Sequence, residues 1–212
     1  MAQEEVATPD SPEEQGRLFF AALVPRPVQA AVEVVQTALR RAGADIKWVE
    51  PHHLHFTLKF LGDTPLSAAP ALSEVGRQVA GELSRCRVLL RGVGAFPHAG
   101  WPQVVWVGCE EGREALEALA HRLDEQLAAA GLASLDKRPF EPHLTLGRAR
   151  SNRRMKGLAE LLRQMERVDV GPMLVVGFAL MRSELLPEGP QYTLVDKFLL
   201  GGAAPPGGES DG

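Results

Sequence analysis

The chain has 212 residues, 45% hydrophobic and 24% charged, with a formal net charge of −4. That is enough apolar material for one generous domain with a real core, and no apolar run reaches the roughly 18 residues that a membrane span needs. Seven of the 27 acids lie in residues 1–16 and 201–212, which hold no Lys or Arg, so residues 17–200 set 20 acids against 23 bases and carry +3. A mildly basic body suits a small anionic ligand better than a long nucleic-acid track, whose usual footprint is a pI above roughly 9.

Residues 1–16 are acidic and poor in apolar side chains, and are expected to be disordered, as is the Gly/Pro-rich tail 201–212. The N-terminus has neither the basic start nor the apolar stretch of a secretory signal. RLFFAALV (17–24) predicts a strand. Val28, Ala31, Val32, Val35 and Leu39 then recur at helical spacing, with Gly43 at the stop. IKWVEPHHLHFTLKFLG (46–62) reads as two extended pieces broken at Pro51. A helix over about 66–84 carries Leu72, Val75, Val79 and Leu83 on one face. RVLLRGVGAFP (87–97) and QVVWVGCE (103–110) are strands, and a helix over about 112–130 shows the stripe Leu116, Leu119, Leu123, Leu127, with Gly131 as its stop. PFEPHLTLGRAR (139–150) is a loop running into a strand. A shorter helix over 155–167 precedes 173–200, which reads as two strands joined by the turn signal PEGP. Hairpin neighbours set among helices predict an α+β fold with antiparallel sheets, not a doubly wound parallel one. Cys86 and Cys109 stand in no CxxC pattern and are expected to be reduced thiols of a cytoplasmic protein.

One short word occurs twice: HFTLKF at 55–60 and HLTLGR at 143–148. In a strand, positions i and i+2 share a face. His55 and Thr57 therefore point one way while Phe56 and Leu58 anchor the strand, and His143 and Thr145 stand likewise against Leu144 and Leu146. Two such strands facing each other would bring two imidazoles and two hydroxyls around one point. Paired acid and base catalysis of phosphoryl transfer wants that set: one neutral imidazole to take a proton, one charged imidazole to give one, and hydroxyls for the non-bridging oxygens. By parity Lys59 shares the His55 face and is a second phosphate contact. Arg148 falls on the wrong face unless the strand ends, twists or bulges near Gly147. His53, His55 and His143 also suggest zinc, but no Cys, Asp or Glu sits at ligand spacing and the threonines have no place in such a site, so no metal is expected.

These residues carry a resemblance. HFTLKFLGD and HLTLGRAR resemble the paired H-x-T-x signatures of the two-histidine phosphoesterases, and within them the RNA 2′,3′-cyclic phosphodiesterase family, also called 2′-5′ RNA ligase-like. RLFFAALVP is similar to the family's opening strand, GVGAFP with VVWVGCE to its middle hairpin, and SELLPEGPQYTLVDKF to its closing hairpin. The resemblance implies a single bilobal domain over 17–200, with two pseudo-symmetric lobes, antiparallel sheets lining a central cleft and helices outside. It implies hydrolysis of RNA-terminal 2′,3′-cyclic phosphates to 2′-phosphates without metal or cofactor. His55 would protonate the leaving 3′ oxygen, His143 would activate water, and Thr57, Thr145 and Arg148 would hold the phosphate. Of the aromatic pair Phe19 and Phe20, one is expected in the core and the other, taken as Phe19, to stack on a nucleobase. Arg150, Arg153, Arg154 and Lys156 are a solvated face or a contact for the RNA strand. His98, His121, Trp48 and Tyr192 are expected outside the chemistry. The alternatives are a ligase joining RNA ends through a 2′-5′ bond, and a non-catalytic module that binds RNA ends or nucleotides. The substrates are RNA ends or cyclic nucleotides, with no membrane, no obligate protein partner and a monomeric chain.

Overall fold

The computed structural model describes residues 13–186 and 189–201. Most of the acidic head, the centre of the PEGP turn and the tail beyond Gly201 lie outside the described residues. In chain order the elements are β1 (Gln15–Leu23), α1 (Arg26–Arg40), β2 (Ile46–Trp48), β3 (His55–Pro65), α2 (Ala69–Glu82), β4 (Cys86–His98), β5 (Trp101–Glu111), α3 (Arg113–Ala129), β6 (His143–Ala149), α4 (Met155–Gln164), β7 (Asp169–Val175), β8 (Gly177–Leu186) and β9 (Gly189–Leu199). The opening strand starts two residues earlier than its apolar run suggested, and Glu14 just before it reaches Arg182 at 3.2 Å.

The strands form two antiparallel sheets, ordered β3-β1-β8-β9 and β2-β6-β5-β4-β7. The two orders superpose as β3 on β6, β1 on β5, β8 on β4 and β9 on β7, with β2 an added edge. Each sheet carries its His-x-Thr strand at the matching position. Helices α2 and α3 pack against the first sheet, and α1 and α4 against the second, which is the expected α+β bilobal plan.

Periodicity explains the packing. Leu18, Phe20 and Ala22 of β1 join Phe56, Leu58, Leu72, Val75, Val79 and the stripe Leu116, Leu119, Leu123, Leu127 in one core. Each such Val, Leu or Phe side chain stabilises the fold by about 1.5–3 kcal/mol through burial. The opposite face of β1 is apolar too: Phe19 and Ala21 pack with Ala179, Met181 and Tyr192 in a smaller cluster.

The segment 173–200 departs from expectation. It forms parts of three strands, not two, because the chain leaves the second sheet after Val175 and enters the first at Gly177. MLVVGFALM is one unbroken apolar run, so its pattern does not reveal a change of sheet. The crossing depends on close approach: a Cβ on Gly177 would lie 2.2 Å from the Phe198 carbonyl oxygen. Among the described residues no helix is long and apolar enough to cross a membrane.

Candidate active site

Each motif histidine is the first residue of its strand, and each is held the same way. His55 Nδ1 lies 2.7 Å from the carbonyl oxygen of His53, and His143 Nδ1 lies 2.7 Å from that of Glu141. A carbonyl oxygen only accepts, so Nδ1 carries the hydrogen in both rings and Nε2 is left for chemistry. The sequence signal for this anchor is simple: the accepting carbonyl belongs to residue i−2 in both copies.

β3 and β6 belong to different sheets yet touch, and His55 feels the charges of both Arg148 and His143. The two words therefore meet in one place. Thr57 is exposed there and Thr145 half-buried. His55 sits between Phe19, 5.1 Å away centroid to centroid, and Tyr192, perpendicular at 5.4 Å. Burial lowers its pKa, which the bond to the His53 carbonyl partly reverses, while the nearby charges of His53, Arg148 and His143 lower it further. Tyr192 packs, as expected, and its packing is against the His55 ring.

A bulge in each motif strand decides which side chains follow the threonine. In β6 the register with β5 runs Trp106 to Thr145 and then Val105 to Gly147, so Leu146 is the extra residue. The parity shifts by one and Arg148 joins the face of His143 and Thr145. Arg148 is exposed and, among the described residues, no carboxylate pairs with it. Gln36, 1% exposed on α1, donates Nε2 to the carbonyls of Leu146 at 2.9 Å and Val49 at 2.8 Å, while the Val49 N–H also donates to Leu146 O at 2.8 Å. The bulged carbonyl is thus satisfied from outside the sheet. Gln36→Leu is expected to cost about 1–3 kcal/mol by leaving Val49 O without this donor, while Leu146 O keeps the Val49 N–H, and to lower kcat/KM by misdirecting Arg148. Thermal melting and steady-state kinetics read the two effects.

The same bulge in β3 overturns one expectation. Phe20 faces Lys59 and Ala21 faces Thr57, so Leu58 is extra and Lys59 turns to the core side. Its ammonium donates to Asp124 Oδ1 at 2.5 Å, Ser134 O at 2.8 Å and Asp136 Oδ1 at 2.7 Å. Lys59 is no phosphate contact: it clamps α3 and the loop that leads into β6. Burial alone would lower its pKa, but the two carboxylates outweigh that and raise it. The position matching Arg148 in this strand is Phe60, 52% exposed with the Arg17 guanidinium 5.5 Å from its ring centroid, so only one strand supplies an arginine. Phe19 is also corrected. At 4% exposure beneath Tyr192 and His55, it offers no face to a base and supports the imidazole instead.

Among the described residues Glu50, His52 and His53 bring three ligand atoms within 4.8 Å of one another. They occupy the turn before β3 and exclude both motif histidines. Burial raises the Cys109 thiol to about 11, which removes it as a nucleophile. His121 is exposed on α3, 3.6 Å from Glu125.

The chain is similar to known proteins over most of its length. A model of the 2′-5′ RNA ligase superfamily matches residues 24–185. A Thermus thermophilus protein named RNA 2′,3′-cyclic phosphodiesterase is 39% identical over 196 residues, covering 88% of this chain and 91% of the relative. One of the same name from Methanothermobacter thermautotrophicus is 36% identical over 184 residues, covering 87% and 98%. Among solved structures, one from Thermus thermophilus superposes with a TM-score of 0.74 at 36% identity over 89% of this chain and 100% of that one. E. coli LigT complexed with 3′-AMP gives 0.72 at 25% identity over 88% and 99%. With its doubled motif, its paired sheets and this match over most of its length, the chain belongs to the 2′-5′ RNA ligase superfamily.

Proposed function

We propose that the chain is an RNA 2′,3′-cyclic phosphodiesterase that converts terminal cyclic phosphates to 2′-phosphates by acid and base catalysis alone. The observation that carries this reading is the pair of imidazoles, each anchored through Nδ1 and meeting across two sheets beside Arg148. His143 Nε2 takes a proton from water as the oxygen attacks phosphorus. The bond from phosphorus to the 3′ oxygen breaks, and His55 Nε2 gives that oxygen its proton. Thr57, Thr145 and Arg148 hold the non-bridging oxygens, where charge-assisted bonds are strongest. Because burial favours the neutral form of His55, the charge of the entering phosphate restores the proton that the leaving group needs. Relatives of the same name over most of the chain support the substrate class. Every residue in this reading comes from one chain, so a monomer suffices, and the free thiols of Cys86 and Cys109 suit a reducing cytoplasm.

Product analysis tests it. An oligonucleotide ending in a 2′,3′-cyclic phosphate is expected to yield a 2′-phosphate at the same rate with and without EDTA. A 3′-phosphate would assign the leaving group to the wrong oxygen, joined product from RNA halves would favour the ligase, and loss of activity with chelator would point to an ion such as the Glu50, His52 and His53 group would hold.

A further inference from the structure

Just ahead of β3 the chain makes a single 3₁₀ turn over Pro51–His53, in which the His53 N–H donates to Glu50 O at 2.9 Å. Pro51 at the start fixes the backbone there. Side chains at i and i+3 eclipse in such a turn, so Glu50 and His53 project on one side, with His52 beside them. Their three ligand atoms lie within 4.8 Å of one another, and among the described residues they are the one set of His, Cys, Asp or Glu groups that converges this closely. His52 Nε2 stands 3.4 Å from Glu50 Oε2. That is too long for a good hydrogen bond, but it matches the ~3.4 Å edge of a tetrahedron whose metal bonds are about 2.1 Å. The two imidazoles lie 4.0 Å apart between centroids and are tilted by 56°, so they splay instead of stacking and their nitrogens can turn to one point. His53 is half-buried and stands edge-on to Tyr192 at 4.9 Å, while Glu50 and His52 are exposed. The His53 ring is thus the fixed donor, and the other two close on an ion by rotating.

The donor set selects the ion. Magnesium and calcium want a shell of oxygens, and here two of three donors are imidazoles. Zinc takes imidazole and carboxylate together in a tetrahedron and accepts water at an open fourth position. We infer that Glu50, His52 and His53 hold one zinc ion, which pins the turn from which His55 hangs. The His53 carbonyl is the acceptor for His55 Nδ1 at 2.7 Å, so an ion on the His53 side chain fixes the residue that orients a motif histidine. Neither His55 nor His143 is in the set. The ion therefore takes no part in the proton transfers, and turnover stays indifferent to EDTA. The site needs only the folded turn and stands apart from the reading of the activity.

The test uses the untagged, metal-free full chain. Calorimetric titration with zinc chloride is expected to show one site, and Co²⁺ in its place to give the visible absorption of a tetrahedral ion. His52→Ala and Glu50→Gln, both at exposed positions, are each expected to weaken zinc at least about a hundredfold, the upper end of what losing even an outer partner costs. Circular dichroism without metal checks that both variants fold. Zinc at about a hundred times its dissociation constant is expected to raise the wild-type melting temperature by roughly 5–10 °C and to leave that of His52→Ala unmoved. Zinc binding that survives His52→Ala and is lost in His143→Ala would put the ion on the motif pair and overturn the site. Tight binding with no change in wild-type melting would also overturn it, because the unfolded segment would then hold zinc as well as the turn does. A wild-type chain that binds neither zinc nor Co²⁺ would do the same.

Discussion

His55→Ala and His143→Ala are each expected to slow hydrolysis of a 2′,3′-cyclic nucleotide about a thousandfold, the usual share of a positioned acid or base, with circular dichroism unchanged. The leaving group separates the two roles. A substrate whose 3′ oxygen is replaced by sulfur departs without protonation, so the proton donor becomes dispensable. His55→Ala is expected to recover most of its activity on that substrate and His143→Ala none. The reverse pattern would exchange the roles. The pH profile carries a second signature. Burial and its charged neighbours depress His55, so one limb of kcat/KM, which reports the free enzyme, is expected below the ordinary histidine value of ~6.5. A protonated ring is favoured by bound phosphate, so that limb moves to higher pH in kcat. It disappears from the residual activity of His55→Ala.

Lys59→Met is expected to be the most damaging substitution away from the reacting atoms. The lysine side chain is 2% exposed and its partners Asp124 and Asp136 are 16% and 58% exposed. Breaking a buried pair by removing one partner costs about 3–5 kcal/mol. Asp136 can rehydrate, which places the loss near the lower end and the melting temperature some ~6–12 °C down. The sign with pH follows from the raised lysine pKa. The contribution is complete below the unfolded value near ~10.4 and is lost as pH rises through the folded value. Differential scanning calorimetry of both proteins between pH 7 and 11 checks this: the gap between them is expected to close at the alkaline end. Were Lys59 a phosphate ligand, the variant would melt normally and show a raised KM.

The helix stripe from Leu116 to Leu127 and the alternation in RLFFAALV were legible because their periods are local. So were the paired histidines and threonines, since the first three positions of each motif obey strand parity. Parity failed at the fourth. Whether a strand bulges depends on its partner and on what satisfies the freed carbonyl. For Leu146 the donors are the Val49 N–H and Gln36, the latter 110 residues away. The shift that sends Arg148 into the site sends Lys59 out of it. Lys59 finds its carboxylates 65 and 77 positions along the chain, a separation that no periodicity encodes. Phe19 was chosen for stacking because it is aromatic and sits on the opening strand, but burial on both faces of that strand is a tertiary property. The change of sheet at Gly177 was hidden for the same reason, by an apolar run equally suited to either sheet.

A crystal structure with 2′-AMP bound measures most directly whether two distant imidazoles serve one phosphorus. The expected result is a single phosphate with His55 Nε2 and His143 Nε2 each about 2.7–3.2 Å from its oxygens and Arg148 beside it. A phosphate held elsewhere, or touching one ring while the other stays out of reach, would contradict the paired mechanism.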